Sequence, residues 1–557
     1  MMELELGLYQ DSVDARLKQW DGMNLLGRLK QKDLSLWRTA RGEVTDMLGW
    51  LSLGRSMRPQ LDDILDVSRK VCYDGITKAV LLGMGGSSMA PCVFSRTFGA
   101  VDEHPDLMVL DSTYPDEVRG VMERIDPGST LFIVSSKSGG TIETMSMYRY
   151  FWEEMRSAVS DVGRHFMAIT DPGTSLAQLG ARRGFRRIFE ASPDVGGRYS
   201  ALSAFGLVPA ALLGVDVHSL LASAFDAWEG DVASAAGQQE GLVMGAALGE
   251  LTAAGRDKAT ILTSASLRSF SLWAEQLFAE STGKDGRGII PVSGEPWLEP
   301  DEYAPDRTFI ALSLDGEESV ISERMRELSE AGHPTMHMIL DDKIELGRAM
   351  FEWELGTATA GIVMGIDPFD QPDVQATKEL AWDMVSSGRT RERRAQGVSA
   401  SHLFEPDELR AAAEEWVTKA RQGDYISIQA YLGYDRDAHD ELKRLQGDLL
   451  TSTGLATTLG YGPRFLHSTG QLHKGGPNTG LFMQIVDGAE GDVPVPGTEY
   501  SFGELTSAEA LGDIIVLTDR GRRVLRVDLD GEGAEGVAKL RDLLNVIFQT
   551  RVVSVMA

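Results

Sequence analysis

Ser136-Lys-Ser-Gly-Gly-Thr-Ile-Glu-Thr144 combines four hydroxyls, two glycines and one cation in nine positions. An apolar run, Leu131–Val134, precedes it and reads as a buried strand; Met145–Trp152 follows and reads as a helix. A strand, a tight loop and a helix start form a socket for an anion, with backbone N–H groups and the positive end of the helix dipole turned inward. Ser136, Ser138, Thr141 and Thr144 can add neutral donors and Lys137 a charge. The Gly-x4-Gly-Lys-Ser/Thr order of nucleotide loops is absent. A hydroxyl-rich socket of this kind suits a phosphate monoester that is held and not transferred. The competing reading is a polar turn that caps a helix.

Other residues could carry chemistry. Glu280 ends an apolar helical stretch closed by Ser281-Thr-Gly283, where a carboxylate can serve as a general base or stand as a solvated helix-end residue. Arg198, in Gly196-Gly-Arg-Tyr-Ser200, opens a long apolar helix. A cation is unfavourable there unless it faces an anion, an oxyanion or a surface carboxylate. Gln371 and Lys378 are seven apart in a loop that enters a helix, which puts them on one side. His467 lies in a Gly-rich polar loop between two strands, a setting that favours function over packing. Gly83-Met-Gly-Gly-Ser87 lacks the third glycine of the dinucleotide fingerprint, yet lets a ligand approach the backbone at Gly86 and Ser87.

These residues need a scaffold, and strands alternating with helices supply one. Segments that read as strands at 79–82, 130–134 and 165–169 belong to a first unit. Those at 259–262, 308–312 and 335–339 belong to a second. Those at 425–431, 455–459 and 481–486 belong to a third. The class is α/β: doubly wound parallel sheets flanked by helices, whose ligands sit beyond the C-terminal strand ends. The expected boundaries are a helical arm at 1–60 carrying Trp20, Trp37 and Trp50, units at 61–235 and 236–390, and a C-terminal α/β unit at 400–557. Gly230–Gly241 and the Arg-rich stretch 388–401 read as connectors, and 487–503 as a loop.

Composition narrows the classes. The net charge of −29 argues against nucleic-acid or anionic-membrane partners. Two cysteines, Cys72 and Cys92, give no disulfide framework and no metal quartet. No apolar run reaches bilayer length and the N-terminus lacks a signal-peptide pattern. A soluble, cytoplasmic protein acting on a small molecule, without metal or cofactor, is expected.

Taken together, the motifs resemble the phosphoglucose isomerase family, built from sugar isomerase (SIS) domains. The pieces are Gly83–Ser87, Ser136–Thr144, Gly196–Ser200, Glu280-Ser-Thr-Gly-Lys284, Phe369-Asp-Gln371 through Lys378, and His467-Ser-Thr-Gly-Gln471. The resemblance implies tandem SIS-type sheets and interconversion of glucose 6-phosphate and fructose 6-phosphate through a cis-enediolate. It implies that Gly86, Ser87, Ser136, Lys137, Ser138, Thr141 and Thr144 hold the sugar phosphate and that Gln371 contacts the sugar. Glu280 would move the proton between C2 and C1, and Arg198 would stabilise the enediolate. His467 and Lys378 would assist ring opening. Related outcomes are activity on mannose 6-phosphate as well, or a sugar-phosphate-binding SIS regulator without chemistry.

Two departures stand out. Ser138-Gly-Gly-Thr141 replaces the common Ser-Gly-Thr-Thr, removing one hydroxyl. The His467 motif, normally between the Glu and Phe-Asp-Gln motifs, follows both and falls in the third unit. That order resembles the isomerase portion of transaldolase–phosphoglucose isomerase fusion proteins. No transaldolase-sized segment is present, so isomerase activity alone is expected. His473 is the fallback for His467, and the third unit either serves its own chain, making a monomer sufficient, or docks on a partner in a homodimer.

Overall fold

A computed structural model describes residues 2–38, 42–230, 235–386, 400–488 and 491–550. Three five-stranded sheets organise it. The first contains β2 (Lys78–Leu82), β3 (Asp106–Leu110), β4 (Thr130–Ser135), β5 (Phe166–Thr170) and β6 (Arg187–Glu190), in the order β3-β2-β4-β5-β6 and parallel throughout. The second contains β7 (Lys258–Thr263), β8 (Ile290–Ser293), β9 (Arg307–Leu314) and β10 (Thr335–Leu340). β1 (Met2–Glu5) completes it as an antiparallel edge, giving β1-β10-β9-β7-β8. The third contains β11 (Ser401–His402), β12 (Tyr425–Tyr431), β13 (Ala456–Tyr461), β14 (Gly480–Val486) and β15 (Arg523–Asp528), all parallel, in the order β11-β15-β14-β12-β13. Central strands such as β4, buried at every position, need apolar side chains on both faces because helices cover both.

Residues 1–60 differ from the helical arm expected: β1 is a strand that borrows its partner from the second unit, where β10 would otherwise expose unpaired backbone groups. The arm's tryptophans are buried, and two of them lie under the site. Trp50 stacks on Tyr199 with ring centroids 5.1 Å apart, and Trp37 meets Phe369 edge-on at 4.9 Å. Trp37 also donates its indole N–H to the Ala358 carbonyl at 2.7 Å. Each such ring removes roughly 150–250 Å² from water, so the arm underpins both the Arg198 turn and the Phe369 loop.

The third unit is anchored on the other two. Val493 and Val495, in the stretch expected to be a loop, are buried in the first unit's core beside Phe132 and Phe151. The Gln375–Ser386 helix buries Met384 and Val385 against Leu505, Leu511 and Ile514 of the Phe502–Asp519 helix. The Arg-rich connector at 388–399 lies outside the described residues. Among the described residues no helix is long and apolar enough to cross a membrane.

Candidate active site

The socket read from the sequence forms between β4 and the Ile142–Ala158 helix. Gly139, at φ +67°, turns the loop. Ser136 Oγ and Thr141 Oγ1 lie 2.9 Å apart, and Ser138 Oγ accepts the Gly140 N–H at 3.3 Å. Thr141 stands at the helix N-cap with no side-chain capping bond, so first-turn N–H groups stay open to an anion. Thr144 is fully buried, with Oγ1 lacking a hydrogen-bond partner. Lys137 turns elsewhere: Nζ meets Asp171 Oδ2 at 2.5 Å and the Pro193 carbonyl at 3.1 Å. The carboxylate of Asp171 offers the ammonium a closer partner than the socket does.

Ser87 closes the turn Gly85–Ser87 beside this loop, its carbonyl accepting from Ser135 Oγ at 3.0 Å. A Cβ on Gly86 would fall 2.1 Å from the Gly197 carbonyl, so only glycine allows this turn to lie against the Arg198 turn. The expectation that Arg198 opens a helix is corrected: it sits in the short turn Gly197–Tyr199, and the apolar helix starts at Ala204. The guanidinium is 3% exposed. It donates to Ser281 Oγ at 2.9 Å, the Pro368 carbonyl at 2.6 Å and the Asp370 carbonyl at 2.8 Å.

Glu280 lies inside the last turn of the Phe270–Thr282 helix and not beyond its end, because the helix continues to the Gly283 cap. Its Oε1 is 3.4 Å from Arg198 Nη1, and its Oε2 accepts from Gln276 Nε2 at 3.0 Å. Gln276, one turn earlier on the same face, also donates to the His467 carbonyl at 2.8 Å. The third unit thus delivers His467 to the other two. Its Nε2 is 2.5 Å from Glu143 Oε1, both side chains nearly buried. His473, the fallback, is enclosed between Phe465 and Phe482 with Nδ1 3.1 Å from Gln429, and burial pushes its pKa well below the usual imidazole range. It packs a core and does not face the cluster.

The loop before Lys378 is held from two sides. Lys284 Nζ contacts the Asp370 carbonyl at 2.5 Å and Asp370 Oδ1 at 2.7 Å. Burial, reinforced by nearby Arg198, lowers the Lys284 pKa to about 8. Gln471 accepts the Asp373 N–H at 2.9 Å and donates to the Gly283 carbonyl at 2.9 Å and Asp373 Oδ2 at 2.7 Å. Gln371, next to the anchored Asp370, is exposed. The backbone of Lys378 belongs to the Gln375–Ser386 helix, and its side chain lies outside the described residues. The sequence alone points to no role for Gln276, Glu143, Lys284 or Gln471. Gln276 carried a usable signal, four residues before Glu280, whereas the Glu143–His467 contact spans 324 positions and has none.

One carboxylate beside a buried guanidinium, a histidine held by a second carboxylate and an anion socket can together move a proton between adjacent carbons of a phosphorylated sugar. A family model described as phosphoglucose isomerase matches residues 65–288. A glucose-6-phosphate isomerase of Rubrobacter xylanophilus is 28% identical over 410 residues, covering 64% of this chain and 94% of the relative. One from Staphylococcus saprophyticus is 27% identical, covering 61% and 86%. A solved glucose-6-phosphate isomerase from Chlamydia trachomatis superposes with a TM-score of 0.59 at 16% identity, covering 68% and 86%; at that identity the likeness concerns the fold.

Proposed function

Since the chain belongs to the phosphoglucose isomerase family, we infer that it interconverts glucose 6-phosphate and fructose 6-phosphate. The observation that carries this reading to named residues is the Glu280–Arg198 contact, 3.4 Å, joined through Gln276 to His467. In this reading the sugar phosphate sits on the 136–144 loop, against the Ile142–Ala158 helix start and near Gly86 and Ser87. Binding energy at that non-reacting phosphate holds C1 and C2 in place. His467, supported by Glu143, gives the ring oxygen its proton as the C1–O5 bond breaks, the C1 hydroxyl releases its proton to solvent to form the carbonyl, and Lys378 assists. Glu280 then takes the C2 proton. The electron pair moves into the C1–C2 bond and the carbonyl oxygen gains charge, which Arg198 stabilises. A proton passes from O2 to O1, and Glu280 returns its proton to C1 as the C2 carbonyl of the ketose forms.

Because one chain carries Glu280 against Arg198 and reaches His467 through Gln276, a monomer suffices for this mechanism. The test is turnover by the purified protein with glucose, mannose and glucosamine 6-phosphates, followed by proton NMR in deuterium oxide. Deuterium at C1 of the ketose product and at C2 of recovered aldose is expected with glucose 6-phosphate. Absence of both exchange and turnover would overturn the reading.

A further inference from the structure

A wide cleft of about 1460 Å³ opens where the three units meet, and its lining includes none of the residues assigned to catalysis. We propose that it is a second ligand site, for a small molecule that carries a phosphomonoester on a planar ring. The first observation is charge. The chain carries −29 overall, yet the guanidinium groups of two arginines in this cleft, Arg96 and Arg268, have no hydrogen-bond or ion-pair partner among the described residues, while the carboxylates around them are engaged. Asp111 is 2.5 Å from Arg464 Nη2, Asp116 pairs with Arg119, and Asp487 accepts the Gly531 and Gly533 N–H groups at 2.8 and 3.0 Å. The cleft therefore keeps unspent positive charge in an acidic protein.

The second observation is a buried donor. The Phe270–Thr282 helix points its N-terminus at the cleft. Ser269 at its N-cap is 5% exposed, makes no capping bond, and has an Oγ without a partner. A hydroxyl left unpaired at a helix start, with Arg268 beside it, is suited to an anion. The third observation is an aromatic wall that lines the same cleft. Tyr434 is 59% exposed and lines the cleft. It lies 5.8 Å from Tyr461, and Tyr461 stacks on His439 at 5.9 Å with an interplanar angle of 27°. A planar ring on this wall and a phosphate at Ser269 would use all three features. Glu280 sits roughly 15 Å further along the same helix, so this is not an extension of the catalytic socket.

The probe is 4-nitrophenyl phosphate, titrated calorimetrically into the full chain, with inorganic phosphate and 4-nitrophenol as comparators. A saturable binding event is expected that survives Ser138→Ala with Thr141→Val. It should weaken about tenfold in Arg96→Ala with Arg268→Ala, the scale of a lost hydrogen bond to a charged group, and also in Tyr434→Ala. All three cleft side chains are exposed, so folding is preserved and is checked by thermal unfolding. No saturable binding, or binding that responds only to the 138/141 variant, would overturn the proposal. Equal affinity for inorganic phosphate would overturn the part played by the aromatic wall. Turnover is measured separately, so failure of the isomerase reading leaves this result intact.

Discussion

Replacing Glu280 with glutamine keeps the volume and the acceptor for Gln276 but removes the base. The structure lets the costs be separated. Arg198 retains Ser281 Oγ and the carbonyls of Pro368 and Asp370, three bonds of 2.6–2.9 Å, so the guanidinium stays fixed. The phosphate loop belongs to a different unit, and the Glu280 carboxylate is held by Arg198 and Gln276. The loss should therefore fall on the chemical step. A positioned general base contributes about 10²–10⁴-fold, which is roughly 3–5 kcal/mol in the barrier. Glu280→Gln should lose turnover by that factor, bind glucose 6-phosphate within about threefold of the parent, and stop deuterium exchange at C2. A coupled assay of ketose formation, calorimetry and NMR exchange read the three quantities. Turnover within fivefold of the parent, with exchange intact, would remove Glu280 from the mechanism.

Glu143→Gln should slow ring opening by roughly 10-fold or more, since it weakens a hydrogen bond to a charged group; a rate unchanged on cyclic substrate would free His467 from this dependence. Ser138→Ala with Thr141→Val should raise KM for the sugar phosphate and the inhibition constant of inorganic phosphate, each lost bond costing about 0.5–1.5 kcal/mol; unchanged constants would move the phosphate elsewhere. Glu280→Gln and His467→Ala proteins, unfolded and refolded together, should stay inactive if each site is built within one chain, whereas recovered activity would demand sites shared between chains. Lys284, ordinarily near 10.5 and about 8 when folded, leaves the unfolded chain holding the extra proton between those values. Stability should therefore rise with pH across that window, by roughly 3 kcal/mol at most, and Lys284→Met should flatten the rise in denaturant titrations.

Local periodicity made the strands legible. Leu131–Val134 signals a buried strand by an unbroken apolar run and Tyr425–Tyr431 by apolar residues alternating with Ser427 and Gln429, and both are strands. Met2–Glu5 could not be read this way, since four alternating residues become a strand only through β10. At the site, residue types pointed to an anion and a base, but direction did not follow from type. Lys137 has an acidic partner 34 positions away, and His473 differs from His467 only in what encloses it. The stretch at 487–503 read as a loop because its two valines are isolated in polar sequence, and their burial depends on a neighbour from the first unit.

The pairing of β1 with β10 has a consequence for the order of assembly. Met2 opposes Met338, so hundreds of residues must leave the ribosome before the second sheet can gain its outer strand. At about 5–20 residues per second this interval is roughly half a minute. During it, the first parallel sheet, complete by Glu190, can form without that edge. Closing so long a loop comes late because its entropic cost precedes its reward. The edge strand therefore works as a final latch, and a nascent chain held short of residue 340 should bury its first sheet while leaving residues 2–5 open to protease.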